Sequence, residues 1–206
     1  MTFVRLRAAG PGDAEKVALL HADSWRRFYR GAYADSFLDG DVVADRIAVW
    51  MSRLAAPVNS ATVVAEDAAG LSGFVHVAID DDGQWGSLVD NLHVTYDRRR
   101  AGIGRTLLTA AAEAVVERAT GSSMYLWVLA QNAAAQQFYR ACGANLVEKA
   151  LVPGPGGDRS RLNGSPEMYR FVWPDASLLA SRARAAGLDE MVRAADDAVI
   201  ERDRAG

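Results

Sequence analysis

The residues best placed to do chemistry lie between 98 and 105, where the chain reads Arg-Arg-Arg-Ala-Gly-Ile-Gly-Arg. This basic, glycine-bearing stretch separates a strand pattern at 87–94 from a helix pattern at 103–118. Backbone N–H groups at a helix start point outward, and glycines let an anion approach them closely. Arginines at 98, 99, 100 and 105 supply charge of the matching sign. The run is not a Walker loop, because no Gly-Lys-Ser/Thr follows. It is not a full dinucleotide fingerprint either: Gly102 and Gly104 lack a third glycine, and the preceding strands read as hairpins, not as a βαβ unit. An anion cradle and a tight helix entry with solvated arginines both fit this stretch taken alone.

The elements that must hold this loop are legible in the periodicity. Alternation predicts a strand at 3–8, followed by a Gly-Pro-Gly-Asp turn with Asp13 as N-cap. Helices are predicted at 13–30, closed by Gly31, and at 41–54, with Val43, Ile47 and Trp50 on one side. Strands follow at 61–66, 71–79 and 87–94, and then the helix at 103–118. A strand at 123–130, a helix at 132–142 stopped by Gly143, and strands at 145–152 and 167–172 complete the order. The Gly/Pro/Ser-rich segment 153–166 joins the last two strands. Residues 175–206 read as a helical extension with an apolar stripe of Leu188, Met191, Val192, Ala195 and Val199.

Composition limits the classes of function. The 206 residues carry 23 basic and 26 acidic side chains, a net charge of −3, and half are hydrophobic. That balance suits a folded domain and argues against a dedicated nucleic-acid binder. No apolar run approaches the roughly 18 residues of a membrane span, and the N-terminus lacks a signal-peptide core. The single cysteine, Cys142, excludes an internal disulfide framework and fits a reducing cytoplasm. No metal-ligand spacing stands out, so no metal is expected.

Three motifs in order give the chain a family likeness. Arg99-Arg100-Ala101-Gly102-Ile103-Gly104 resembles the Arg/Gln-x-x-Gly-x-Gly/Ala loop of the GNAT superfamily of acyl-CoA-dependent N-acyltransferases. Asp90-Asn91-Leu92-His93-Val94 resembles the family's central strand. Asn132 to Gly143 resembles its Asn-x-x-Ala-x-x-Phe-Tyr-x-x-x-Gly motif. Two positions depart from the pattern: Arg100 stands where glycine is usual, and Ala144 where phenylalanine is frequent.

The resemblance implies an α/β (α+β) fold, with a mixed, mostly antiparallel sheet whose splayed parallel strands are flanked by helices. It implies a GNAT domain over 1–174, with 175–206 as an extension. Acetyl-CoA, as co-substrate, would lie between the strands 87–94 and 123–130. Its pantetheine arm would pair with backbone near Leu92 and Val94. Its pyrophosphate would meet the amides of Arg100, Gly102, Ile103, Gly104 and Arg105, with help from arginine heads including Arg99. Asn132 would anchor its helix and touch the cofactor arm.

The implied reaction is amine attack on a thioester, by direct transfer in a ternary complex. A primary amine with a pKa near 10.4 is only about 0.1% neutral at pH 7, so it must be deprotonated or bound neutral. Asp90 matches the position of a carboxylate general base. His93 is intrinsically the better base near pH 7 but is expected on the opposite strand face. His21 and His76 read as structural or exposed. Tyr139 matches the tyrosine that protonates the departing thiolate. Cys142 has no histidine placed in sequence to activate it and reads as a buried hydrophobe.

Acceptor choice falls to the first two helices and the 153–166 segment. Trp25, Phe28, Tyr29, Tyr33, Phe37 and Trp50 could wall a pocket for a small amine, with Asp35, Asp39 and Asp41 as possible cation holders. Protein lysines or N-termini as acceptors, and a non-catalytic acyl-CoA-binding module, are the alternatives. The extension could cover its own core or a second copy, as in a homodimer.

Overall fold

The computed structural model describes residues 4–181. Seven strands form one sheet in the order β1-β2-β3-β4-β5-β7-β6. They are β1 (Arg5–Ala8), β2 (Ser60–Asp67), β3 (Gly70–Asp82), β4 (Gly86–Val94), β5 (Met124–Leu129), β6 (Asn145–Leu151) and β7 (Glu167–Trp173). Only β4 and β5 pair in parallel; every other neighbour is antiparallel. The helices are α1 (Ala14–Phe28), α2 (Asp35–Asp39), α3 (Val42–Ala55), α4 (Ile103–Arg118) and α5 (Ala133–Ala141).

Alternation along the strands divides the interior between the two sheet faces. On β3, Phe74 packs with Val17, Leu20, Trp50 and Leu54 of α1 and α3. Its neighbour Val75 packs with Leu107, Leu108 and Ala111 of α4. Val64 and Ala65 on β2 divide the same way. The period of two makes this division obligatory once both faces are covered. Tyr139 of α5 shares the α4-side core with Phe171 and Trp173 of β7.

Several expected details differ. Asp13 sits at the N-cap of α1 without a side-chain cap bond. Its oxygens are instead taken by the Arg7 guanidinium at 2.7 Å and the Gly10 N–H at 2.8 Å. α1 ends at Phe28, earlier than expected, and Gly31, at φ +90°, turns the chain toward the short helix α2. On α3 the inward stripe is Val42, Arg46, Trp50 and Leu54, so an arginine occupies a buried position. Beyond β7, Ala176, Leu179 and Ala180 join the α4-side core. The rest of the expected extension, with its stripe from Leu188 to Val199, lies outside the described residues.

Candidate active site

The site begins with a strand that bends. Along the β3–β4 ladder His76 pairs with Asn91, but the next residue, Val77, pairs with Val89. Asp90 is the extra residue of a β-bulge, a feature that bends the strand carrying it. The parallel ladder between β4 and β5 then holds for only two pairs, Ser87 with Met124 and Leu88 with Tyr125. Past that point the strands diverge, and β4 from 89 to 94 has no partner strand on its β5 side. Unpaired backbone in a sheet interior is costly unless something else bonds to it. Leu92 and Val94 lie on this open stretch.

The open stretch leads into the basic loop. A single 3-10 turn, Tyr96–Arg98, is followed by Arg100 at φ +65° and Gly102 at φ +83°. The left-handed backbone at Arg100 explains why glycine suits that position, and it costs an L-residue about 1–2 kcal/mol. α4 then opens with no side-chain cap and no acidic residue in its first turn. Its positive end therefore has no counter-charge in its own first turn. The expectation for Arg105 needs correction: its N–H donates to the Gly102 carbonyl at 2.9 Å, so its amide is already used. Its exposed side chain remains available. Arg98 is also taken, by Asp67 at 2.8 Å, and the Arg99 guanidinium lies 4.7 Å from the centre of the Phe28 ring.

Gly104 is the meeting point of the three sequence motifs. A Cβ there would lie 3.5 Å from Phe138 on α5 and 3.9 Å from Val94 on β4. Asn132 caps α5 by accepting the Ala135 N–H at 3.1 Å. Gln136 secures the same helix to the end of β5, through the carbonyls of Leu129 at 3.3 Å and Ala130 at 2.8 Å. The Tyr139 ring is buried among Phe138, Phe171 and Trp173. Burial and the nearby Tyr29 phenol make its hydroxyl a weaker acid than usual, so it stays protonated. Tyr29 follows α1, which packs on the opposite sheet face.

The α1/α3 face holds the remaining polar groups. Asp90 Oδ2 accepts from Arg53 Nη1 at 2.6 Å, and the same nitrogen reaches Asn91 Oδ1 at 3.1 Å. His93 was expected on the face opposite Asp90. The bulge breaks the alternation, and His93 lies on the same face, its ring 4.6 Å from His21 and 5.3 Å from Phe74. Desolvation lowers the His93 pKa to about 4, with Asp90 opposing the shift and Arg46 adding to it. His76 is likewise lowered to about 4, mainly by burial, and accepts or donates with Thr62 Oγ1 at 2.7 Å. His21 is fully buried and held well below its usual range, and its Nδ1 accepts the Trp50 Nε1–H at 3.0 Å. All three imidazoles are neutral at pH 7.

The aromatic wall is partly core. Trp25, Tyr33 and Phe37 pack with Leu129, Val152 and Leu162, while Trp50 belongs to the cluster around Phe74. Tyr29 is half-buried, its ring 5.5 Å from Trp25 and 5.0 Å from Tyr33. Desolvation and the Asp90 charge raise its pKa to about 12. Asp35 and Asp39 are both paired with Arg30, at 2.7 and 2.6 Å, so they do not stand ready to hold a cation. The 153–166 segment is tied down: Arg161 O accepts the Ala34 N–H, and Asn163 N–H donates to Ala32 O, each at 2.9 Å. A cleft of ≈ 340 Å³ lies between Gly31, the end of β5 at Ala130 and Gln131, and residues 163–167. The sequence reading missed Arg46 and Arg53. The signal for Arg46 was its place on the four-residue repeat Val42, Arg46, Trp50, Leu54.

The model of the acetyltransferase (GNAT) family matches residues 21–144. The chain belongs to the GNAT family. It is 30% identical over 130 residues to the uncharacterized N-acetyltransferase YuaI of Bacillus subtilis (strain 168), covering 63% of this chain and 74% of that protein. Its fold matches the PaiA N-acetyltransferase of Thermoplasma acidophilum, solved in complex with coenzyme A, at a TM-score of 0.63 and 17% identity, over 82% of this chain and 98% of that one. It also matches the spermidine/spermine N-acetyltransferase SpeG of Vibrio cholerae at a TM-score of 0.60 and 18% identity, over 87% and 98% of the two chains. The GNAT fold accounts for the single parallel pair and the helices on both faces. Among the described residues no helix is long and apolar enough to cross a membrane.

Proposed function

We propose that this GNAT N-acetyltransferase moves an acetyl group from acetyl-CoA to the primary amine of a small molecule, by direct attack in a ternary complex. The observation that carries the reading is the two-pair ladder between β4 and β5, opening onto the uncapped start of α4. Acetyl-CoA is the donor substrate. Backbone at Leu92 and Val94 suits its pantetheine amides. The amides of Gly102, Ile103 and Gly104, with the side chains of Arg99, Arg100 and Arg105, suit its phosphates. An N–H near Val94 would polarise the thioester carbonyl.

The acceptor would enter from the α1/α3 face, where Asp90 and Tyr29 stand. Asp90 would take the amine proton directly or through water, after the ammonium displaces Arg53 from its 2.6 Å ion pair. Tyr139, protonated and on the far side of the gap, would return a proton to the CoA thiolate. Burial raises the pKa of the Cys142 thiol, and a thiol is a poor nucleophile. That supports direct attack over an acyl-enzyme. Initial velocities with both substrates varied should give intersecting reciprocal plots. Parallel plots, with an acetylated enzyme caught by mass spectrometry, would reject direct attack.

A further inference from the structure

Among the described residues, Arg46 is the charged side chain that α3 turns inward. It stands on the stripe Val42, Arg46, Trp50, Leu54, and its side chain is 9% exposed. Its guanidinium lies 4.3 Å from the centre of the Trp25 ring. Nε, at 2.9 Å, and Nη2 both donate to the same oxygen of Asp45, Oδ2. The other oxygen of Asp45 is taken by Arg161 Nη1 at 2.6 Å. Nη1 of Arg46 has no hydrogen-bond partner among the described residues.

The charges around this point do not balance. Arg46, Arg53 and Arg161 are positive; Asp45 and Asp90 are negative; His21, His76 and His93 are neutral at pH 7. Asp158 approaches Arg161 at 3.5 Å but is half exposed, so water screens it. Asp45 therefore serves two guanidinium groups. A buried cation with an open donor edge is costly unless an anion completes it. The Arg46 charge is felt at His93 and Tyr33, the groups that share the site with Asp90 and Tyr29.

We propose that the acceptor is an amine that also carries a carboxylate, and that the open edge of Arg46 binds this carboxylate while the amine faces Asp90. The proposal rests on the acetyl-transfer reading above. It names the substrate class: amino acids or similar zwitterions with an apolar part that packs on Trp25 and Tyr29. A planar guanidinium fork matches a carboxylate, and a lysine in its place would lose the paired geometry. A polyamine, carrying only positive charge, would meet Arg46 and Arg53 unfavourably.

The test compares matched acceptors. Thiol release from acetyl-CoA is followed with a panel of α-, β- and γ-amino acids, each beside its own primary carboxamide. The expected result is a kcat/KM for the best acid about 10- to 100-fold above that of its amide, the range for a hydrogen bond to a charged group. Arg46→Gln should collapse that ratio, and Arg46→Lys should restore part of it. Equal or better turnover of the amides across the panel would overturn the proposal. So would an Arg46→Gln enzyme, folded and binding acetyl-CoA normally, that keeps the ratio. If Arg46→Gln does not fold, the wild-type ratio decides alone. If no amine is acetylated, thermal shifts of the CoA-loaded protein separate the two claims. A shift by acids and not amides supports the carboxylate site while the transfer reading fails, and the absence of an acid-specific shift overturns the site as well.

Discussion

In the proposed reaction Tyr139 would serve packing and chemistry together. Its ring is core, beside Phe171 and Trp173, and burial keeps its hydroxyl protonated. Tyr139→Phe keeps the ring, so the fold and the affinity for acetyl-CoA should be preserved. Turnover should fall by about a hundredfold, the lower end of what a positioned acid supplies. Calorimetry and steady-state kinetics check the two halves, and an unchanged kcat would remove Tyr139 from the reaction. At this scale the residues of local motifs were legible in the sequence: Gly102, Gly104, Asn132 and Tyr139 stand where their spacing put them. Arg46 and Arg53 were not, because their roles depend on which face of α3 turns inward. The relation of Asp90 to His93 was misread for a similar reason: a single bulged residue reverses the facing of what precedes it.

The elements depend on a few backbone conformations. Gly102 at φ +83° turns the loop into α4, and a Cβ there would touch nothing within 4 Å. Gly102→Ala should therefore cost about 1–2 kcal/mol from backbone strain alone. It should also weaken acetyl-CoA binding by displacing the amides that follow. Gly104→Ala is the control, since its Cβ would make ordinary contacts with Phe138 and Val94. It should fold at least as well as wild type, because alanine favours the helix by about 0.8–1 kcal/mol over glycine. Denaturant unfolding and a binding isotherm for each variant test this, and equal stability of the two would contradict the assignment of strain to Gly102. Every long strand and helix was predicted to within a few residues, because each had its own periodicity. The short helix α2 was not, since Asp35–Asp39 is too brief to show a period. The bulge in β4 is set by pairing with β3 and leaves no mark in a single strand's pattern.

Over the described residues the molecule is a sheet covered on both faces and parted between β4 and β5, with α4 and α5 on one side and α1 and α3 on the other. The α1/α3 side holds three histidines whose pKa values are depressed by burial. Unfolding frees them to take up protons below their ordinary value of about 6.5. Their contribution to stability is therefore fully present above about pH 6.5 and is lost as pH falls toward about 4, the value for His76 and His93. Denaturant midpoints should drop across that window, and His76→Asn should flatten the slope. A slope unchanged in the variant would mean that other groups set it. The net charge of −3 hid a local excess of arginine at 98–105, which the fold sets at the start of α4 beside the open stretch of β4.

Acetyl transfer to a small amine through the gap between β4 and β5 can be measured by following free CoA thiol while a panel of primary amines is added to the protein and acetyl-CoA. Thiol should appear only when a suitable amine is present, in equal amount with its N-acetyl product, and Tyr139→Phe should slow both together. Acetyl-CoA that binds tightly yet releases no thiol with any amine would contradict such a transfer.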